Sequence, residues 1–369
     1  MPEPPSSSTP PAPPPATTRP AGGGLRFARA ADGPRIAWVR SGRGPPLVRV
    51  AHWLTHVERE PRTAIWRPWL EHYARVCTLY RYDERGYGMS DPDPRPATLE
   101  SCVNDLASVI EASGEARVAL FAISGAASTA IAYAVSHPQR VSRLIVLGGY
   151  LAGIYHRQVP PSAVQWYDAQ LTLMEFGWDR SDPLVQQFLT SQLIPDATPE
   201  EARALNELSR MACDGRQASA FLRTRAGFDV SALAASVLCP TLVLHADHDR
   251  IVPLPLGREL AASIPGARFE TLGTRNHVPT GSDPALGSLF DKLDAFLRED
   301  WPAAVTMSPR TRELAALVAE GLDNRQIGAR MGIRDKTVRN ALSALYAQLG
   351  VEGRPQAIHR LRAMGFGPR

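Results

Sequence analysis

Short apolar runs alternate with longer amphipathic stretches along much of the chain. The runs "PLVRVAHW" (46–53), "VCTLYRYD" (76–83), "ARVALFAIS" (116–124), "VSRLIVLGG" (141–149) and "PTLVLHAD" (240–247) read as buried strands, mostly rich in β-branched residues and bounded by turn signals. Between them, segments such as 98–113 and 126–137 have helical periodicity. Strand–helix alternation predicts an α/β fold, a mostly parallel sheet with helices on both faces. Residues 151–236 break the rhythm. They read as helical with proline punctuation, and carry Trp166, Tyr167, Met174, Phe176, Trp178 and Phe188. Placed between two strands, they predict a helical cap over the C-terminal edge of the sheet, where open α/β sheets bind ligands. The aromatic residues either line a pocket there or pack the cap itself. A helix over 284–299 closes the first unit, and 307–369 reads as wholly helical.

Composition divides the chain further. The 369 residues carry a net charge of only +4, but from Trp301 onward eleven Arg plus Lys face five Asp plus Glu, a balance of +6. The preceding residues are therefore slightly acidic, and a basic segment attached to a near-neutral body suits contact with a polyanion. The opening stretch "MPEPPSSSTPPAPPPATTRPAGGG" offers little apolar surface and no signal-peptide pattern. It is expected to be a disordered arm. The expected units are thus an arm at 1–24, an α/β unit at 25–300 and a helical unit at 305–369. Four scattered cysteines (Cys77, Cys102, Cys213, Cys239) lack metal-ligand spacing and fit a reducing cytoplasm. No apolar run is long enough to span a bilayer, so no membrane association is expected.

The candidate chemistry begins at "LFAISGAAS" (120–128), where a strand runs into Ser124 and a helix follows. A nucleophile on so tight a turn needs small neighbours, and Ala122 and Ala126 supply them where glycine is usual. "LHADHDRIVP" puts Asp249 after a late strand, and "RNHVP" puts His277 in a loop before the last helix of the unit. The residues His245, Asp247, His248 and Asp249 match no defensible zinc spacing, and no metal or other cofactor is expected. The order Ser124, Asp249, His277, together with "YDERGYGMSD" (82–91), resembles the α/β-hydrolases over roughly residues 25–299. The resemblance implies acyl transfer. Ser124 would attack, His277 would take its proton, Asp249 would fix the imidazole tautomer, and the N–H groups of Gly125 and Trp53 would form the oxyanion hole. One departure stands out. Such enzymes usually carry His-Gly after the early strand; this chain reads "VAHWLTH", with His52 at the glycine's place.

The last segment opens with Ser308 as N-cap and Pro309 at the first helical position. Leu314, Leu317 and Val318 form an apolar stripe, Ile327 and Met331 a second, and Val338, Leu342, Leu345 and Leu349 a third. Two of these helices joined by a tight glycine-containing turn make a helix-turn-helix. With "SPRTREL" (308–314), "VAEG" (318–321), "NRQIG" (324–328), "KTVRN" (336–340) and "LGVEGR" (349–354), the segment resembles LuxR-type DNA-binding domains. Thr311 stands where glutamate is usual, Arg334 where a capping serine is usual, and Ala341 where histidine is usual, so Asp335 is expected to take over the cap. Val338 and Leu342 face the core, which leaves Arg339, Asn340 and Ser343 able to reach a major groove. Lys336 and Thr337, in the first turn, suit phosphates. A final helix at 355–363 could pair two copies into a homodimer.

Together these features predict a cytoplasmic, LuxR-type transcription regulator that binds double-stranded DNA. Its hydrolase-like unit would sense a small molecule and cleave an ester or lactone at most slowly. The alternative is a working serine hydrolase with an accessory DNA-binding module.

Overall fold

The computed structural model describes residues 24–93, 95–178, 183–299, 308–349, 351, 353–363 and 366. The proline-rich arm, apart from Gly24, and the link expected around 300–306 lie outside them. Three strands open the fold: β1 (Arg26–Arg29), β2 (Arg35–Gly42) and β3 (Pro46–Arg49). There follow α1 (Trp66–Val76), β4 (Thr78–Tyr82), α2 (Leu99–Ser113), β5 (Val118–Ile123), α3 (Ala126–Ser136) and β6 (Val141–Leu147). Five helices then intervene: α4 (Pro161–Gly177), α5 (Pro183–Leu193), α6 (Pro199–Ala212), α7 (Gly215–Ala226) and α8 (Ser231–Ala234). The sheet resumes with β7 (Thr241–Ala246), α9 (Leu254–Ser263), β8 (Arg268–Leu272) and α10 (Ala285–Arg298).

The strands form one eight-stranded sheet in the order β1-β2-β4-β3-β5-β6-β7-β8. The first two strands run antiparallel to their neighbours, and all later pairings are parallel. Central β5, "VALFAI", is buried at every position, because helices cover both faces of a parallel sheet. One core packs α2, α3, α8 and α9 against one face, and the other packs α1 and α10 against the opposite face. The strands β1, β2 and β8 stand outside the expected set. The outermost, β1 and β8, lie at the sheet edges, where half or more of the residues stay accessible and the apolar pattern is weak. The five expected strands are all present, trimmed at their ends by the turns that follow.

The excursion between β6 and β7 leaves and re-enters the sheet at one place. Ala152 bridges Asp229, Val230 N–H donates to Leu151 O, and Gly153 N–H donates to Phe228 O. Capping boxes start α6 (Thr198 with Glu201) and α7 (Asp214 with Gln217), satisfying N–H groups the helices leave unpaired.

The last segment forms α11 (Pro309–Ala319), α12 (Asn324–Met331), α13 (Asp335–Leu349) and α14 (Arg354–Ala363) around its own core of Leu314, Val318, Ile327, Val338, Leu345 and Leu361, among others. The Ser308 side chain accepts from Thr311 N–H at the start of α11. An Asp323–Gln326 capping box opens α12, and Gly332, at φ 64°, closes it in a left-handed turn that most residues avoid.

Candidate active site and nucleic-acid interface

Ser124 sits at the junction of β5 and α3 with φ 56°, one of two non-glycine residues with positive φ among the described residues. A serine held there is strained, and such strain gathers at functional sites. Ala122 and Ala126 are buried on either side, so the turn closes without larger side chains. Ser124 N–H donates to Leu147 O at 2.9 Å, which ties the elbow to the end of β6. The next residue, Gly148, has φ 59°, and a Cβ there would lie 2.7 Å from His277 Cε1 and 3.4 Å from Asp249 Oδ2. Glycine is needed at that point because the imidazole occupies the space beside it. The β6 edge therefore brings the serine turn, His277 and Asp249 to one place.

His277 Nδ1 hydrogen-bonds Asp249 Oδ2 at 2.6 Å, and both residues are buried. The other carboxylate oxygen accepts from the N–H groups of Ile251 and Val252 at 2.8 and 2.9 Å, fixing its direction. Burial, the largest single influence, works against ionisation of Asp249, but His277, the Val252 N–H and His245 together outweigh it and hold the carboxyl below the usual range. His277 Nε2 is buried, and among the described residues no group hydrogen-bonds it. No hydrogen bond joins it to Ser124 here. His245 Nε2 bonds Val252 O at 2.7 Å and lies 3.8 Å from Asp249 Oδ2, the oxygen that meets His277.

The oxyanion side departs from a simple loop. Val50 N–H donates to Phe121 O, and β3 pairs with β5 as Val48 with Leu120 and Arg49 with Phe121. The pairing ends there, and His52 and Ser124 each lie three positions past its last pair, in the turns that follow the strands. His52 Nδ1 contacts Trp53 O at 2.9 Å, while its Nε2 is buried without a hydrogen bond among the described residues. Burial and the nearby Arg49 push its imidazolium down to about 3, so the ring is neutral. Leu54 follows with φ 59°. Trp53 packs edge-on against Trp178 and Phe221 at 5.9 and 5.7 Å. Leu54 shares a buried cluster with Met174, Trp178 and Leu189. Of the aromatic residues expected in the cap, Trp178 thus faces this loop, whereas Trp166 and Phe176 are 63% and 68% exposed and line nothing buried. They lie on the outward side of α4, a distinction that periodicity alone does not make.

The cap is fastened to the turn at 82–91. Arg225, on α7, pairs with Glu84 at 2.6 Å, both nearly fully buried, and Cys102 Sγ donates to the same carboxylate. Gln217 Nε2 donates to Gly86 O, Tyr87 Oη to Gln217 O, and Gly88 N–H to Ala212 O. Asp83 braces the turn from inside, accepting from the N–H groups of Met89 and Val57, although burial pushes its carboxyl up to about 7. On the far side, His277 N–H donates to Leu193 O at the end of α5. The motif "YDERGYGMSD" marked this turn in the sequence, but the Arg225 partner on a distant helix left no sequence signal.

In the helical segment, Lys336, Thr337, Arg339, Asn340 and Ser343 are all exposed on α13, while Val338 and Leu342 are buried. Asp335 is the first residue of α13 and pairs with Arg339 at 2.9 Å, one helical turn on. Arg354 Nη1 donates to Asn324 Oδ1 at 2.8 Å, joining the start of α14 to the start of α12.

Sheet order, serine elbow and Asp–His pair define an α/β-hydrolase fold, and the final helices a helix-turn-helix. Comparison with known families agrees. A family model described as serine aminopeptidase, S33, matches residues 74–274, and one described as bacterial regulatory proteins, luxR family, matches 305–361. The chain belongs to that hydrolase family and carries a LuxR-type DNA-binding domain fused to it. RutD of Klebsiella pneumoniae, a protein named for carbamate hydrolysis, is 25% identical over 66% of this chain and 90% of its own length. GfsR of Streptomyces halstedii, named as an HTH-type transcriptional regulator, is 32% identical over 34% of this chain and 42% of its own. A hydrolase from Pseudomonas aeruginosa superposes with a TM-score of 0.60 at 23% identity, covering 75% of this chain and 99% of that one, a likeness of fold. No helix among the described residues is long and apolar enough to cross a membrane.

Proposed function

We propose that the chain is a ligand-responsive transcription regulator. A small apolar or ester-like molecule binds between the sheet edge and the cap, and its binding alters how α13 engages duplex DNA. The observation that carries this reading is the pairing of two sites in one chain. A buried Asp249–His277 pair lies at the sheet edge that carries a strained serine, and an exposed polar face on α13 belongs to the LuxR-type domain. In this reading Arg339, Asn340 and Ser343 contact base edges, and Lys336 and Thr337 contact phosphates. Two copies act together, paired through α14, since one short helix reads too few base pairs to define a site. The place of action is the cytoplasm, where bacterial DNA lies.

A second reading, a working serine hydrolase, is favoured by the Ser124 elbow, by the Asp249–His277 hydrogen bond and by relatives named for hydrolysis. Ser124, His277 and Asp249 would then be nucleophile, base and orienting acid, with Gly125 and Trp53 N–H groups receiving the oxyanion. A fluorophosphonate probe and a promoter-binding assay separate the two. Weak labelling with a preference for promoter fragments over random DNA supports the regulator. Rapid labelling that Ser124→Ala abolishes, with no such preference, supports the enzyme.

A further inference from the structure

The outward side of α4 carries apolar residues that the described fold leaves uncovered. Trp166, Ala169, Leu173 and Phe176 recur at spacings of three, four and three, which sets them on one side of the helix. Trp166 and Phe176 are 63% and 68% exposed, although α4 buries Leu171 and Met174 on another side. A helix that is apolar on two sides has a second surface to cover. Among the described residues α4 packs against α7 and α5, and neither covers Trp166 or Phe176. The charged residues of α4, Asp168 and Glu175, fall outside this spacing, so the stripe itself is uncharged.

We propose that this side of α4 is a self-association surface, on which the same helix of a second copy of the chain packs in a two-fold pair. Apolar residues alternating at three and four are the seam that helices offer to one another. A two-fold contact meets an identical surface, so an uncharged stripe opposes no like charges across it. The small Ala169 lets two helix axes approach closely. In an antiparallel pair Trp166 lies toward Phe176 of the partner subunit. The exposed parts of these two side chains amount to roughly 250 Å² per copy, given ~150–250 Å² for a whole aromatic side chain. That is about 40% of the ~600 Å² per partner at which stable interfaces begin, and the rest of a helix about 25 Å long adjoins it. The acidic flank speaks against an anionic lipid surface, and a convex helix offers no groove for a proline-rich segment. This contact lies in the hydrolase unit and is separate from pairing through α14. On its other side α4 reaches the candidate site's loop, since Met174 and Trp178 share a cluster with Leu54 and Trp53. One helix thus touches the loop and the second copy at once.

The test is sedimentation velocity of the full chain from nanomolar to micromolar concentration. Wild type is expected to form dimers, and the double variant Trp166→Ser, Phe176→Ser to weaken them at least about a hundredfold, since each aromatic anchor of an interface typically contributes about tenfold or more. Both side chains are exposed in the single copy, so the double variant should keep the wild-type melting curve. Hydroxyl-radical footprinting of the wild type needs no variant, and oxidation of Trp166 should fall as the dimer forms. A monomer at every concentration overturns the proposal. So does a dimer whose dissociation constant stays within threefold in the double variant, as pairing through α14 alone would give, or a Trp166 oxidised equally in monomer and dimer. A monomer whose Trp166 is protected until residues 2–23 are deleted assigns the stripe to the proline-rich arm. Binding to anionic vesicles that the double variant loses assigns it to lipid, and either result overturns the proposal too.

Discussion

Ser124 holds a left-handed backbone that costs an ordinary L-residue on the order of 1–2 kcal/mol, and glycine almost nothing. Ser124→Gly is therefore expected to raise stability by about 1 kcal/mol in urea unfolding while removing all fluorophosphonate labelling. A destabilised variant would show that the serine side chain holds the turn together. At this scale the sequence was informative for Ser124, Asp249 and His277, because each sits in a short motif whose spacing carries its chemistry. It flagged His52 as a departure, but not that its Nδ1 meets the Trp53 carbonyl. It was silent on Leu54, strained at φ 59° although leucine gives no hint of a left-handed turn.

Elements sort their residues by face. On α13, Val338, Leu342 and Leu345 fill the small core, so the polar positions between them are presented outward. Arg339→Ala is expected to lower affinity for a cognate promoter by about 1–3 kcal/mol while leaving random DNA almost unaffected. Lys336→Ala should weaken both alike and reduce the salt slope by about one, as filter binding at several salt concentrations would report. Equal losses on both DNAs for Arg339→Ala would place that side chain on phosphate instead. The buried strands and amphipathic helices were legible because their apolar pattern is continuous. Strands β1 and β8 were not, since edge strands keep polar residues that blur the alternation. The cap's helical nature was legible, but not which of its aromatic residues turn inward. Trp178, which caps the end of α4, meets Trp53, while Trp166 on the same helix faces outward, and only the packing of α4 against α7 decides that.

For the whole molecule, the two kinds of chemistry occupy separate cores. One is built on the sheet and the other on α11 to α14, so damage at the serine elbow need not reach the DNA-reading face. In the proposed reading, a ligand meets the cap first. Its bonds to the sheet side include Arg225 with Glu84, a buried ion pair, and breaking such a pair by removing one partner typically costs about 3–5 kcal/mol. In that reading, lifting α7 to free a bound molecule would mean parting those charges. Glu84→Gln is expected to quicken release of any ligand found by thermal shift at least tenfold in stopped-flow measurements; an unchanged release rate would mean that molecules escape by another route. If the proposed reading holds, a roof latched in this manner would give the protein a long time constant. It would average over brief pulses of its signal, and its output would persist for a while after the surroundings had been cleared.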